Sequence, residues 1–354
     1  MARRTRPTHG PLDPRAEAIL RAVIEEYVAT AAPVGSLALV ERYGLGVSSA
    51  TVRNVLAELE AAGLVSQPHT SAGRVPTDAG YRYYVESLAE EFRLPAVEEL
   101  MIRHQFGQVE YASEQWFRLA AHTLAAATRA AGLATPAKPR AARVRRVDLV
   151  GIQERLASLI VVLHGGTIKQ RLVALPDAFD QAALSVVAAI VDEATVGRTA
   201  REIEGWLTRF DDPTPAGRLA RTVGERIVAV LREFDAAAIE EIFSEGLLNV
   251  MEAPEFARSE TLRRVFSALE NRAYLGELVD RVAASGDVQV FIGRENPPAE
   301  LRDVSLVLAP YGRPGEAIGV VGVLGPTRMP YPVAIGTVRF VSGLMNELVE
   351  HLYD

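Results

Sequence analysis

The 354-residue chain contains no cysteine. Disulfides, thiolate nucleophiles and cysteine-ligated zinc are therefore excluded, and nothing indicates an oxidising compartment. Histidine is scarce: His9, His69, His104, His122, His164 and His351 are the full set, and none is spaced from another as metal ligands are. The glycine pair in "LHGG" (163–166) has no G-x-S-x-G nucleophile elbow to serve, so it reads as a hairpin turn. "GVVGVLGP" (319–326) opens no helix after a strand and lacks the acidic partner of a dinucleotide site. Close strand packing, a turn or a ligand contact are its readings. No pair of carboxylates stands out from the surface Asp and Glu. Neither catalysis nor a cofactor is expected. No run of 18 apolar residues marks a membrane span, and the basic start "MARRTRPTHG" has no apolar segment after it to make a signal peptide. The expectation is a soluble cytoplasmic chain without a membrane partner.

What is present is a 49% hydrophobic content, enough for two or three domains with real cores. The net charge of −7 argues against a uniformly basic surface, yet a small DNA-reading module fits inside an acidic chain. Near the N-terminus, Ile19, Val23 and Tyr27, with Leu20 and Ile24 beside them, recur at helical spacing, and Pro14 suits a first turn. Ser36 is placed to cap a short second helix over "LALVERY" that stops at Gly44. A third helix follows over "SSATVRNVLAELEAAG". It has Ser48 or Ser49 as cap, an apolar stripe of Val52, Val55, Leu56 and Leu59, and Gly63 as terminator. "LVSQ" suggests a short strand, "SQPHTSAGRVP" a polar loop, and a fourth helix begins near Thr77. Three helices, a strand, a loop and a helix are the order of a winged helix-turn-helix.

Residues 97–132 again read as helical, and "ATPAKPRAARVRR" (134–146) as a linker, either a solvated joint or an accessory phosphate contact. From 147 the pattern changes. "LASLIVVLHGGTIKQRLVALP" looks like two strands around a turn, the middle of the chain is helical with stretches over 216–246 and 259–284, and strands return in "VQVFIG" and "VSLVLAPYGRPGEAIGVVGVLGP". The C-terminal part is therefore α+β, with strands before 176 and after 287 expected in one sheet.

If the stripe of the third helix faces the core, Ser49, Arg53 and Asn54 lie away from it, with Thr51 at the edge of that arc. Reading a major groove needs donors and acceptors at the start of a recognition helix. Arginine forks onto guanine, and asparagine pairs its amide with adenine. Ser36 at the second helix and Arg3, Arg4 and Arg6 in a basic arm are candidate phosphate contacts, the arm alternatively being a solubilising tail. In the loop, Pro68 and Pro76 limit the ends, Gly73 permits a tight tip, and Arg74 leads the candidate DNA contacts.

The segments "ILRAVIEEYVATAAPVGS", "SSATVRNVLAELEAAGLVSQPHTSAGRVPTDAGYRYYV", "NVMEAPEF", "IGRENPPAELRDVSLVLAPY" and "GVVGVLGPTRMPYPVAI" resemble blocks of the heat-inducible transcription repressor family HrcA, over nearly all of 12–350. The resemblance implies an α+β multidomain chain: an N-terminal winged helix-turn-helix, then a GAF-like α+β domain with an inserted dimerising domain. Placed here, residues 1–95 are the DNA-binding domain and 96–146 a helical connector and linker. Residues 147–190 and 286–354 are the discontinuous GAF-like domain, and 191–285 the inserted one. It implies a homodimer that represses chaperone operons by binding double-stranded DNA at an inverted-repeat operator, the CIRCE element, with its activity promoted by the GroEL–GroES chaperonin. Ser49, Thr51, Arg53 and Asn54 match the family's reading helix, and His69, Thr70, Ser71, Gly73 and Arg74 its wing. Two positions depart from it. Leu37 stands where a basic residue usually follows the "PVGS" serine, and Pro330 where an aspartate usually precedes Tyr331. The competing classes are a regulator that senses a metabolite in the GAF-like part and a protein-interaction module whose winged helix binds protein.

Overall fold

The computed structural model describes residues 10–69, 72–88, 92–109, 113–139, 141–164, 166–236, 242–256, 263, 267, 272–313 and 317–353. The architecture is mixed α+β. Two compact units divide the chain: one holds residues 1–136, 241–311 and 319–347, the other 137–240, 312–318 and 348–354.

The first unit opens with three helices, α1 (Pro14–Thr30), α2 (Ser36–Tyr43) and α3 (Ser49–Ala61). Asp13 caps α1, its carboxylate accepting from the amides of Arg15 (2.8 Å) and Ala16 (3.0 Å), with Pro14 at the first helical position as expected. Ile19, Leu20, Val23 and Ile24 of α1 are buried, as are Leu39 of α2 and the whole α3 stripe. Glu26, itself buried, ties α1 to α2 by accepting from Arg42 and from the Tyr43 hydroxyl (3.4 Å). Burial, then Glu26, pushes the Tyr43 phenol up to about 12, so it remains a donor at neutral pH. Next come β1 (Val65–Ser66) and β2 (Val75–Pro76), paired antiparallel, and α4 (Asp78–Tyr83), which runs into a π-helical turn at Tyr84–Leu88. Thr77 caps α4 and also donates to the Gly63 carbonyl at 2.6 Å.

Helices α5 (Ala96–Gln108) and α6 (Ser113–Thr128) lead into a sheet of order β8–β3–β11–β10–β9. Its strands are β3 (Ala131–Ala134), β8 (Phe243–Glu245), β9 (Gln289–Ile292), β10 (Val304–Arg313) and β11 (Ala317–Pro326). A further pair of residues, β4 (Lys138–Pro139), runs beside Ala317 and Ile318. Helix α12 (Tyr331–Tyr353) closes the chain; the Pro330 carbonyl accepts from Ala334 at 3.0 Å, so the departure from the family pattern falls at the cap position of this helix, where proline has no side-chain oxygen to accept from the first turn. The glycines of 319–326 serve close packing: a Cβ on Gly322 would lie 2.2 Å from the Val307 carbonyl oxygen of β10.

The second unit is a three-stranded antiparallel sheet, β5 (Val144–Gln153), β6 (Leu156–Leu163) and β7 (Ile168–Ala174), with α7 (Gln181–Thr195), α8 (Ala200–Leu207) and α9 (Pro215–Ala236). One sheet face carries Val147, Leu149, Leu159 and Val161 into a core with Leu184, Val187, Val191, Leu219, Val223 and Ile227. Side chains of α7 satisfy the backbone of β5: Asp192 accepts from Val147 at 2.7 Å, and Gln181 bonds the Gly151 amide and Leu149 carbonyl, both at 2.9 Å. The other face carries Val150, Ile160, Val162, Ile168 and Leu172, with Val150, Ile168 and Leu172 exposed by 45, 65 and 62%.

Several expectations are corrected here. The strands of 144–174 do not join those after 287; they form their own sheet and pack on the helices of 181–236, because their inward residues match that helical surface. Residues 147–190 therefore belong with the interrupting unit, which spans 137–240 and not 191–285. Ala131 and Gly132, read as the end of the 97–132 helix, and Ala134, read as the start of the linker, lie in β3, with Gly132 passing so close to α6 that a Cβ would lie 1.9 Å from the Ala121 carbonyl oxygen. The residues 243–245 are β8 rather than helix, and the 134–146 stretch is not a free linker: Arg143 donates to Gly197 O at 2.6 Å and Arg146 lies 3.8 Å from Asp192. A short helix, α10 (Leu247–Met251), follows β8. Of the 259–284 helix, Arg272–Ser285 (α11) is helical, and most of what precedes it lies outside the described residues. Among the described residues no helix is long and apolar enough to cross a membrane.

Candidate nucleic-acid interface

Helix α3 starts where its sequence says it should. The Ser48 hydroxyl accepts from the Thr51 amide at 3.2 Å and lies 3.0 Å from the Thr51 hydroxyl. With Val52, Val55, Leu56 and Leu59 turned into the core, Arg53 and Asn54 are exposed, and Ser49 and Thr51 are half-buried at the edge of the same face. A guanidinium and a carboxamide thus stand side by side near the start of an anchored helix, a pairing that presents donors and an acceptor to base edges.

Ser36 is placed differently from expectation. Gly35 occupies the cap position of α2, and Ser36 is its first helical residue, 9% exposed. Its hydroxyl accepts from Arg53 Nε at 3.3 Å. The serine is therefore committed to orienting an α3 side chain. A bond through Nε leaves the Nη edge of the guanidinium as the end that can fork onto a base. Leu37 beside it is 61% exposed.

The loop between β1 and β2 is held from three sides. The backbone of Arg74 and that of Val34, just before α2, exchange both hydrogen bonds at 2.8 Å. Gln67 Nε2 donates to the Ala72 carbonyl at 3.0 Å, and the Ala72 amide donates to the His69 carbonyl at 2.8 Å. Gly73 is not a left-handed tip. It is a point of contact, where a Cβ would lie 2.3 Å from the Val34 carbonyl oxygen. Arg74 does not project as a free cation: its Nη2 pairs with Glu60 Oε2 at 2.8 Å, and its side chain is 18% exposed. His69 is exposed. Thr70 and Ser71, like Arg3, Arg4 and Arg6, lie outside the described residues.

The interface thus brings together α3, the start of α2 and the β1–β2 loop. Gln67 was not singled out from the sequence, and Glu60 was read only as a charge further along α3 that faces away from a DNA backbone or repels it. Glu60 lay on the exposed side of the α3 stripe, and only the fold of the loop back over the helix end reveals its partner. No group of three or more His, Asp or Glu among the described residues is placed to hold a metal ion.

Residues 114–335 match the family model described as the HrcA protein C terminal domain. The chain is 42% identical over 344 residues to the heat-inducible transcription repressor HrcA of Roseiflexus castenholzii, covering 97% of this chain and 96% of that one. It is 41% identical over 359 residues to the protein of the same name from Chloroflexus aurantiacus, covering 97% and 95%. A crystal structure of a hypothetical protein at 2.2 Å resolution superposes with a TM-score of 0.60 at 22% identity, over 97% of this chain and all of that one, a likeness of fold.

Proposed function

This chain belongs to the HrcA family of heat-inducible transcription repressors, and from that premise we propose that it is a homodimeric, sequence-specific DNA-binding repressor of heat-shock chaperone operons. Residues 14–88 act as a winged helix-turn-helix, with α3 as recognition helix and the β1–β2 loop as wing. The two copies insert their α3 helices into successive major grooves of the CIRCE inverted repeat. The observation that carries the reading is the exposed Arg53–Asn54 pair at the start of α3, with Arg53 oriented from behind by a buried hydroxyl.

Each residue takes its role from its surroundings. Arg53 reads guanine through its Nη edge and Asn54 reads adenine. Ser49 and Thr51, at the border of the reading face, and the exposed His69 supply phosphate or base-edge bonds, as do Thr70 and Ser71. Ser36 contributes by holding Arg53, and the amides of the first α2 turn, with no side chain capping them, offer the phosphate site expected of that helix. Gly73 and Arg74 fix the wing's shape, the arginine through Glu60. Arg3, Arg4 and Arg6 add phosphate contacts from the arm.

The dimer forms through the second unit. The open face of β5–β6–β7, with Val150, Ile168 and Leu172 exposed, is the surface a second copy covers. The chaperonin GroEL–GroES raises the active population by holding or refolding a chain whose most apolar strands, 157–163 and 318–324, sit in the middle of their sheets and are hazardous when open.

Arg53→Ala tests the core of this reading. Binding to the operator duplex falls by about 1–3 kcal/mol in free energy, and discrimination relaxes at one base position. Equal loss on operator and scrambled DNA removes Arg53 as a base reader.

A further inference from the structure

The strongest feature that DNA reading alone leaves unused is the joint between the N-terminal helices and the β9 end of the larger sheet, both within the first unit. It is built from charged groups. Arg82 of α4 donates from Nε to Glu295 Oε1 at 2.8 Å and from Nη2 both to Glu295 Oε2 and to the Val290 carbonyl of β9, the latter at 2.6 Å. Glu295 is in turn anchored, its Oε2 accepting from the Ile292 amide at 2.8 Å. Beside this pair, Asp78 at the start of α4 accepts from the Arg294 amide at 3.0 Å, against Gly293, whose φ of +50° and missing Cβ both suit glycine. Behind it Tyr81 and Tyr331, both buried, lie with ring centroids 5.7 Å apart. On a second helix, Arg328 pairs with Glu255 and donates from Nη1 to the Val28 carbonyl of α1 at 3.3 Å.

A single strap makes a hinge. Here straps fall on two helices, α1 and α4, and on two separate parts of the sheet side: the end of β9 with the residues after it, and the residues at the start of α12. Helix α4 is also fixed to the wing end, since a Cβ on Gly80 would lie 2.0 Å from the Leu64 carbonyl oxygen. The reading helix cannot turn independently of the sheet without breaking a bidentate arginine–carboxylate pair.

We propose that Arg82, acting through Glu295, is a positioning residue that holds the reading helix at one angle to the sheet and so narrows the half-site spacing that the dimer accepts. The inference rests on the dimeric DNA-binding reading above. The second half-site is bound from within the complex, and its effective concentration depends on how well the two reading helices match the spacing. Each base pair added between half-sites moves the second by about 3.4 Å and rotates it by roughly 34°, given a turn of about 10–10.5 base pairs. A stiff joint penalises that displacement; a loose one absorbs it.

The test uses the full chain, with Arg82→Met and, as a milder variant that keeps an acceptor for the Ile292 amide, Glu295→Gln. Affinity is measured by fluorescence anisotropy on duplexes carrying the CIRCE repeat, on repeats with one or two base pairs added to or removed from the spacer, and on a single half-site. For wild type, binding drops by about tenfold or more when the spacer changes. In the variants, affinity at native spacing falls by about tenfold, half-site affinity stays at the wild-type value, and the differences among spacers shrink to roughly threefold. A variant with the wild-type spacing profile, or one that loses half-site and full-site affinity in equal proportion, overturns the proposal. A wild-type chain that binds CIRCE and scrambled duplexes alike overturns instead the reading on which it rests.

Discussion

Gly73→Ala and Gly343→Ala make the same chemical change with opposite expected signs. At Gly73 the new methyl group lands 2.3 Å from the Val34 carbonyl oxygen and 2.7 Å from its amide nitrogen. Both neighbours are backbone, so no side chain can swing aside. The cheapest relief is to part Arg74 from Val34, which breaks the two 2.8 Å hydrogen bonds between them. Each such bond contributes roughly 0.5–1.5 kcal/mol, so the loss is about 1–3 kcal/mol. Restricting the unfolded chain returns roughly 0.4–1 kcal/mol. The net expectation is a destabilisation of about 1–2 kcal/mol, confined to the loop and the segment before α2. At Gly343, inside α12, a Cβ meets nothing within 4 Å, and the substitution stabilises by about 0.5–1 kcal/mol through helix propensity. Amide hydrogen exchange followed residue by residue reads the first effect. Protection at the Val34 and Arg74 amides drops about fivefold to thirtyfold in Gly73→Ala, while the amides of α1 keep theirs. Urea unfolding reads the second. A Gly73→Ala chain with wild-type protection at both amides shows that the β1–β2 loop is not pinned by this contact.

Leu172→Arg, placed on the open face of β5–β6–β7 at its β7 edge, converts the dimer to monomer in sedimentation at micromolar concentration, while circular dichroism stays unchanged; a dimer that persists removes that face as the interface. The carboxylate of Glu202 is held below its ordinary value of 4.5 by bonds from the Thr199 amide (2.7 Å) and hydroxyl (2.8 Å), then by Arg143. A depressed pKa stabilises the fold above the unfolded value and loses that stabilisation as pH falls through the folded one. The unfolding free energy of the chain therefore declines below about pH 5, and Glu202→Gln flattens part of that decline; an identical acid limb in the variant contradicts the assignment.

Much of the N-terminal helical region was legible because its signals are local. Ser48 before a stripe at i, i+3, i+4 and i+7 announces α3, and the exposed positions of Arg53 and Asn54 follow from that stripe. The Gly-Gly hairpin of β6 and β7 was equally plain. What stayed hidden depends on chain folding back over itself. Ser36 and Arg53 are 17 residues apart, and no periodicity links them. Glu60 reads as a solvated charge until the loop returns with Arg74. The short apolar run of β3 carries neither alternation nor a turn signal, so strand and helix look alike there, and β3 is identified only by pairing with Val321–Leu324, far along the chain. The boundary of the interrupting unit was misplaced for the same reason: strand character in 144–174 is visible locally, but the choice of sheet is made by the helices that cover it.

The central claim is that α3 reads a defined inverted repeat. Its most direct measurement is the affinity of the purified full-length chain for CIRCE and scrambled duplexes of equal length, titrated at several salt concentrations. Specific binding predicts a preference of about a thousandfold or more for the repeat at physiological salt, with both affinities falling as salt rises. Equal affinity for the two duplexes at every salt concentration contradicts it.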